Sequence, residues 1–221
     1  MNKTITWLTP EGDRDWFPPL EQALDEPEGL LAAGGDLSPA RLMAAYRRGI
    51  FPWYSHGQPI LWWSPDPRTV LFPNEFKISR SLARSARNRG FETRFDTQFA
   101  AVMAACGDRE LRPEGTWINR EMRAAYQQLH QQGHAHSVET WQHGVLVGGL
   151  YGVLLGGVFF GESMFSRVSD ASKFALMALC GRISQPLAMI DCQMATPHLL
   201  SLGAREIPRA EFLTRLHQYA V

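Results

Sequence analysis

Residues 144–161, reading GVLVGGLYGVLLGGVFFG, carry no charged side chain, and no other stretch of the sequence restricts the possible folds as strongly. A run this apolar forms either a membrane-spanning helix or a buried sheet. The glycines spaced four apart from Gly148 match a membrane-helix contact motif. However, the run is marginal for a bilayer core of about 30 Å, and interior glycines weaken a helix. The doublets at 148–149 and 156–157 indicate a bulge and a turn, so we predict buried strands and no membrane span.

The composition is that of an ordinary globular protein. Of the 221 residues, 45% are hydrophobic and 20% are charged, and the length suits one large domain or two small ones. Cys106, Cys180 and Cys192 are odd in number and lack CxxC spacing, which argues against a disulfide framework or a zinc ribbon. The first residues show no apolar signal segment. We therefore expect a cytoplasmic protein.

Positive charge is concentrated in one segment. Residues 77–94 contain six basic side chains against Glu92 alone, although the formal net charge of the chain is zero. A helix over KISRSLARSARN would place Ile78 and Leu82 on one face and three arginines on the opposite face. These arginines, predicted to contact a phosphate backbone, are Arg80, Arg84 and Arg87. A solvated helix face remains the alternative.

Aromatic residues and prolines alternate irregularly in residues 51–68, FPWYSHGQPILWWSPDPR. The prolines forbid a long helix and discourage a central strand. We therefore expect a rigid, irregular backbone that holds Trp53, Tyr54, Trp62 and Trp63. Rings held in this way either stack on nucleobases or fill the space between two lobes.

The remaining pattern predicts an α+β fold. A helix capped by Ser38 continues to Gly49, a short strand FETRF follows, and Asp96 and Asn119 cap two further helices. Three consecutive antiparallel strands, a helix over 171–184, a strand over 187–193 and two closing helices complete the chain. We expect a small N-terminal domain over residues 1–65 and a larger domain over residues 66–221.

Polar side chains interrupt two apolar strands, at Glu162 in GESMFSR and at Asp191 and Gln193 in IDCQ. Since residues two apart share one side of a strand, Asp191 and Gln193 are predicted to face the same way. A carboxylate in such a strand needs a partner. The two carboxylates either belong to one polar site or form separate structural ion pairs, for which Arg167 and Lys173 are candidate partners.

Two weaker patterns involve histidine and cysteine. His130, His134, His136 and His143 cluster in sequence but show no complete metal-ligand spacing. Cys192 is a candidate nucleophile with His198 as its base. No GxGxxG, Walker or GxSxG motif occurs. We expect no cofactor and no metal.

Long strings, in order, resemble one family. They are EPEGLLAAGGDLSPARLMAAYRRGIFPW, ILWWSPDPR, GTWI, GHAHSVE, VGGLYGV, FFGESMFSR, ASKFAL, IDCQ and SLGAREIPR. The chain resembles the bacterial leucyl/phenylalanyl-tRNA–protein transferases from about residue 20 to residue 209. The resemblance implies transfer of Leu or Phe, and less readily Met, from aminoacyl-tRNA to proteins that begin with Arg or Lys. Those products enter the N-degron degradation pathway.

The resemblance also implies a GNAT-like acyltransferase domain and a set of site residues. The GNAT pyrophosphate motif is missing, which fits an RNA ester as the donor. The catalytic residues would be Asp191, Gln193 and Glu162, and the rings near the terminal adenosine would be Trp53 and Trp117. The donor side-chain pocket would comprise Leu150, Met164, Leu176 and Leu179, and the tRNA patch Arg80, Arg84 and Arg87. Many relatives have Met where this chain has Leu150 and Phe where it has Leu179, and the pocket stays apolar with these replacements.

Three other functions remain open at this point. One is a coenzyme-A-dependent N-acetyltransferase of the GNAT type, and another is a non-catalytic tRNA-binding protein. The third is an acyl-cysteine enzyme that works through Cys192.

Overall fold

The computed structural model describes residues 3–108, 110–111, 115–182 and 186–220. The N-terminal part forms a four-stranded sheet with one helix. Its elements are β1 (Thr6–Leu8), β2 (Leu30–Gly34), α1 (Pro39–Arg47), β3 (Phe51–Pro52) and β4 (Leu61–Trp63). The strand order is β1-β2-β4-β3, with a parallel β1–β2 pair and antiparallel pairs elsewhere.

A seven-stranded sheet follows. Its strands are β5 (Arg68–Leu71), β6 (Phe91–Phe95), β7 (Ala135–Gln142), β8 (Val145–Leu155), β9 (Val158–Ser166), β10 (Met189–Gln193) and β11 (Arg205–Ile207). Its helices are α2 (Arg80–Asn88), α3 (Phe99–Cys106), α4 (Arg120–Gln131), α5 (Ala171–Cys180), α6 (Pro197–Ser201) and α7 (Arg209–Tyr219). The order is β11-β5-β10-β9-β8-β7-β6, and β9 and β10 run parallel within this mainly antiparallel sheet. The predicted α+β fold, with a mixed sheet flanked by helices, is confirmed.

The uncharged run forms β8 and the start of β9. The turn between them lies at Gly156 and Gly157, and Gly156 has a left-handed φ of 51°. A Cβ at Gly148 would lie 2.4 Å from the Cβ of Ala171, so this glycine lets α5 pack directly on the sheet. No helix in the described ranges is long and apolar enough to cross a membrane. The prediction of buried strands is confirmed.

Hydrophobic packing joins the two sheets. One buried cluster contains Leu42 and Trp62 from the N-terminal part together with Phe99, Phe160 and Phe212 from the larger part. A second cluster lies under α5, on the other side of the large sheet. The first sheet ends at Trp63 and the second begins at Arg68. The division into domains 1–65 and 66–221 stays a prediction.

The aromatic segment of residues 51–68 is partly a hairpin of β3 and β4. Trp62 is fully buried and donates from Nε1 to the Gly34 carbonyl at 2.9 Å. Trp53, by contrast, is 38% exposed and packs against Trp63 with ring centroids 5.6 Å apart. The expectation of no central strand here is wrong, because β4 lies inside its sheet. The prolines that flank β4 leave its three residues free to pair.

Most predicted helix boundaries are confirmed. Ser38 accepts the Arg41 N–H at the start of α1, and Asn119 accepts the Met122 N–H at the start of α4. Gly49, which follows α1, has a left-handed φ of 71°. Ser38 and Asn119 begin helices because their side chains accept free backbone N–H groups there. Gly49 ends α1 because glycine adopts the left-handed conformation at little cost.

Some boundaries differ from the prediction. Asp96 does not cap α3, because its carboxylate accepts the Ser137 N–H and contacts His136 Nδ1 instead. Ile78 precedes α2 and is 54% exposed, so it is not on the apolar face of that helix. The helix predicted over 171–184 ends at Cys180, and residues 183–185 lie outside the described part of the chain. The sequence pattern also gives no indication of strand β11, between the two closing helices.

Candidate active site

A cavity of about 330 Å³ opens where β9 and β10 separate. Parallel pairing between these strands runs from Met189 opposite Val158 to Asp191 opposite Phe160 and then stops. The apolar lining residues are Leu150, Phe159, Met164, Leu176, Ile190 and Leu199. Glu162 and Gln193 also line the cavity, together with Trp117. The site therefore combines an apolar pocket with a carboxyl group and an amide.

Bulges in both strands aim the polar groups. In β9, Gly161 pairs with Gly152 and Ser163 pairs with Tyr151, so Glu162 is the extra residue. In β10, Cys192 is the extra residue between Asp191 and Gln193. A bulge changes the direction in which the side chains of a strand point. Two adjacent bulges thus place Glu162 and Gln193 at the same opening.

The carboxylate of Glu162 is held between two tyrosines. Tyr46 from α1 donates to Oε1 at 2.7 Å, and Tyr126 from α4 donates to Oε2 at 2.9 Å. The two tyrosine hydroxyls also contact each other. Both tyrosines are fully buried, and Glu162 is half-buried with its carboxylate enclosed.

This enclosure changes proton affinities. Burial raises the pKa of Glu162 from 4.5 to about 7, although the hydrogen bonds from Tyr46 and Tyr126 act in the opposite direction. Burial, followed by the charge of Glu162, raises the pKa of each tyrosine well above its usual value. The tyrosines therefore keep their protons, and Glu162 is the group that titrates near neutral pH.

Asp191 does not face the cavity. Its carboxylate forms a two-point ion pair with Arg68, at 2.8 Å from Nε and 2.7 Å from Nη2, and both residues are fully buried. Arg68 also donates to the Gly49 carbonyl and lies over the rings of Phe51 and Phe212. The prediction that Asp191 and Gln193 point to the same side is wrong, because the bulge at Cys192 breaks the alternation of the strand.

Asp191 is nevertheless linked to the site through the backbone. Its Oδ1 accepts the Gln193 N–H at 3.0 Å. Gln193 has a left-handed φ of 58°, which a residue with a side chain rarely adopts. The buried ion pair therefore holds the backbone conformation that directs Gln193 into the cavity.

The chemistry of Cys192 is unfavourable for a nucleophile. Burial, assisted by the charge of Asp191, raises the pKa of its thiol far above the usual value. Burial, together with Lys173, lowers the pKa of His198, which lines the same cavity. A thiol that stays protonated is a poor nucleophile.

Only some of the other predicted site residues line the cavity. Trp117, Leu150, Met164 and Leu176 line the cavity. Leu179 is buried in one apolar cluster with Leu150 and Leu176 but does not line the cavity. Trp53 lies outside the cavity, directly after β3, where it packs against Trp63. Arg80, Arg84 and Arg87 are exposed on α2, and no described acidic side chain forms an ion pair with them.

The candidate partners Arg167 and Lys173 do not pair with Glu162 or Asp191. Lys173 pairs with Asp170, and Arg167 lies over the ring of Phe165. Sequence reasoning missed the actual partners, Arg68, Tyr46 and Tyr126. A usable signal existed for Arg68 alone, since it begins the apolar strand RTVL.

Fold and site together define a class, that of an α+β enzyme with an apolar side-chain pocket beside a carboxyl group that titrates near neutral pH. Such a group suits proton transfer during catalysis.

Comparisons with known proteins identify the family. A profile described as leucyl/phenylalanyl-tRNA protein transferase matches residues 70–217, and one for the N-terminal domain of that protein matches residues 35–66. The leucyl/phenylalanyl-tRNA–protein transferase of Aromatoleum aromaticum is 62% identical, over 96% of this chain and 89% of the relative. That of Azoarcus sp. is 61% identical, over 98% of this chain and 92% of the relative. The chain belongs to the leucyl/phenylalanyl-tRNA–protein transferase family, and it is an aminoacyltransferase.

Two solved structures show a distant likeness. A GCN5-related N-acetyltransferase from Kribbella flavida aligns with a TM-score of 0.38 and 11% identity, over 77% of this chain and 61% of that one. The C-terminal domain of a lysylphosphatidylglycerol synthetase from Agrobacterium fabrum aligns with a TM-score of 0.41 and 13% identity, over 86% and 60%. These values are too low to add to the description of the fold.

Proposed function

We propose that this protein transfers leucine or phenylalanine, and methionine less readily, from aminoacyl-tRNA to the N-terminal amine of proteins that begin with Arg or Lys. The product is then marked for degradation by the N-degron pathway. Charged tRNA is used in the cytoplasm, so we expect the reaction there. The observation that carries the proposal is the pairing of an apolar cavity with the carboxyl group of Glu162, whose pKa is about 7.

The apolar part of the cavity suits the side chain of the donor amino acid. Leu150, Met164 and Leu176 surround a space of about 330 Å³ with hydrocarbon and one thioether. An apolar pocket separates side chains that differ by a methylene by only about 1–3 kcal/mol. Broad acceptance of Leu, Phe and Met follows from this.

Glu162 is suited to move the proton that the reaction releases. The acceptor ammonium, with a pKa of about 8, first loses one proton to solvent. The free amine then attacks the ester carbonyl, and its nitrogen gives a second proton to the Glu162 carboxylate. When the ester C–O bond breaks, Glu162 returns that proton to the ribose oxygen, so ester and amine become amide and alcohol. A pKa of about 7 lets one group both accept and donate.

Gln193 and Asp191 have different roles in this scheme. Gln193 lines the cavity and donates a hydrogen bond from its amide to the oxyanion that forms at the ester carbonyl. Asp191 is fully buried in its ion pair with Arg68 and lies outside the cavity lining, so it positions Gln193 and takes no proton from the reacting groups. Arg68 acts through Asp191 in the same way.

The rest of the donor is held by rings and by positive charge. Trp117 stands at the cavity, where the terminal adenosine can stack on it, and Trp53 offers an exposed ring farther away. The exposed arginines of α2, Arg80, Arg84 and Arg87, contact the tRNA backbone. The cationic end of the acceptor protein is attracted to Glu162, the carboxylate of the described cavity lining.

A transfer assay tests the proposal directly. Purified protein is mixed with labelled Phe-tRNA and a peptide that begins with Arg, without ATP. The ester is already activated, so labelled peptide should form. The matched control is the same peptide with an acetylated N-terminus, which should stay unlabelled because it has no free amine. Failure to label the free peptide would refute the proposed function.

A further inference from the structure

A second cavity lies behind the segment that carries Trp117. Its volume is about 630 Å³, and it is formed by the end of α3, the residues before α4 and the first turn of α4. Thr116, Ile118 and Asn119 line this second cavity, whereas Trp117 lines the active-site cavity. The residues next to Trp117 in the chain therefore border the second cavity, while Trp117 itself borders the active-site cavity.

Positive charge dominates the lining of the second cavity. Arg120 and Arg123 are exposed there together with His56, and Asp108 is the carboxylate among the lining residues that the structure describes. Within the described part of the chain, neither arginine forms an ion pair. The site thus presents two guanidinium groups to a ligand.

The chemistry of these groups points to a phosphate. A guanidinium group binds a phosphate through two parallel hydrogen bonds, and it stays charged at any physiological pH. The acceptor protein is a poor occupant, because its N-terminal Arg or Lys and its ammonium group are cationic and would be repelled. The donor tRNA, in contrast, carries a negative charge at every nucleotide.

The position of the cavity indicates which phosphate. The terminal adenosine of the donor lies at Trp117 in the proposed function, so the preceding phosphodiester must leave the active site past the turn that holds Trp117. We propose that the second cavity binds this phosphodiester through Arg120 and Arg123, which sets the depth of the aminoacyl ester in the active site. The inference rests on the proposed function, and it adds a phosphate site separate from the arginines of α2.

Two minimal donors separate this contact from the rest of the reaction. One is phenylalanyl-adenosine, which has no phosphate, and the other is the dinucleotide cytidylyl-adenosine charged with phenylalanine. The wild-type protein should favour the dinucleotide in kcat/KM. In the variant Arg120→Gln/Arg123→Gln, that preference should fall by about tenfold, whereas transfer from phenylalanyl-adenosine should stay within about twofold of wild type. Equal losses with both donors, or an unchanged preference, would overturn the proposal.

Further variants guard against a folding defect and against a general charge effect. Asp108→Asn removes a negative charge from the cavity lining, so the preference for the dinucleotide should rise about twofold or more, and a fall would contradict the proposal. Arg47→Gln removes an exposed arginine outside the lining and should leave the preference unchanged.

Binding affinities compare the two ligands, with and without the phosphate, independently of the transfer reaction. Calorimetry with uncharged cytidylyl-adenosine and with adenosine should show the dinucleotide preference in wild type and its loss in the double variant. If wild type transferred from neither donor, the proposed function would fail, and the calorimetry would still decide whether the cavity binds a phosphodiester.

Discussion

Replacing Glu162 with glutamine should make the protein more stable and less active. Glutamine keeps the shape, since its oxygen can accept from one tyrosine and its amide N–H can donate to the hydroxyl oxygen of the other, but it cannot ionise. The pKa of Glu162 rises from 4.5 to about 7 on folding, so the native state binds a proton more tightly than the unfolded chain does. One pKa unit corresponds to about 1.4 kcal/mol, so the ionised carboxylate costs the native state about 3 kcal/mol above pH 7.

The sign of the effect follows from this difference. Below pH 4.5 the residue is protonated in both states, and it contributes no penalty. As the pH rises from 4.5 to about 7, the unfolded chain loses its proton first, so stability falls across this window and the full penalty is reached above it. Glu162→Gln should therefore raise the free energy of unfolding by about 3 kcal/mol at pH 8 and by less than about 1 kcal/mol at pH 5.

Urea-induced unfolding at pH 5 and pH 8 measures both values. The matched control is Glu28→Gln, which changes an exposed glutamate and should alter stability by less than about 0.5 kcal/mol at either pH. If Glu162→Gln were less stable than wild type at pH 8, or gained equally at both pH values, the assignment of a raised pKa to this carboxyl would be refuted.

Three further outcomes are expected. Arg68→Met leaves Asp191 buried without its partner and should lower the free energy of unfolding by about 3–5 kcal/mol, measured in urea; a loss under about 1 kcal/mol would show that the pair is dispensable. Cys192→Ala should keep at least about half of the transfer rate, because the thiol stays protonated, whereas loss of transfer in a folded variant would establish covalent catalysis. Arg80→Gln/Arg84→Gln should weaken tRNA binding and reduce the slope of log K against log salt by about 0.9 for each phosphate that the variant no longer neutralises; an unchanged slope in a filter-binding titration would remove α2 from the interface.

The order of elements could largely be predicted from the sequence. Helix starts at Ser38 and Asn119 were signalled by side chains that accept a nearby backbone N–H. The glycine doublet at 156–157 marked a tight turn between apolar strands. Caps and turns depend on residues close together in the chain, so they can be recognised without knowledge of the tertiary structure.

The arrangement of the site could be predicted only in part. Glu162 and Gln193 were identified because polar residues in apolar strands need a reason to be there. The bulge at Cys192 turns Asp191 away from Gln193, and nothing in the strand's alternation reveals it. The partner Arg68 lies 123 residues from Asp191 in the chain, so only tertiary packing identifies the pair.

The tyrosine clamp, formed by Tyr46 and Tyr126 around Glu162, illustrates the same limit. These tyrosines occupy the buried faces of α1 and α4, where their pattern is that of ordinary core residues. Their hydroxyls acquire a function only because both helices pack against the bulge that carries Glu162. Local periodicity indicates that these rings are buried, but it contains no information on what they contact.

The pH dependence of transfer tests the central claim, which is that the enclosed carboxyl of Glu162 carries the proton in the active site. The measurement is kcat/KM for transfer from Phe-tRNA to an Arg-terminated peptide between about pH 5.5 and 9, for wild type and for Glu162→Gln. The kcat/KM of wild type should rise with one inflection near pH 7, where Glu162 ionises, and a second near pH 8, where the acceptor amine loses its proton. The variant should keep only the second inflection and should lose at least about a hundredfold in rate at about pH 7.5. A variant that keeps the wild-type rate and profile while binding tRNA normally would contradict the account.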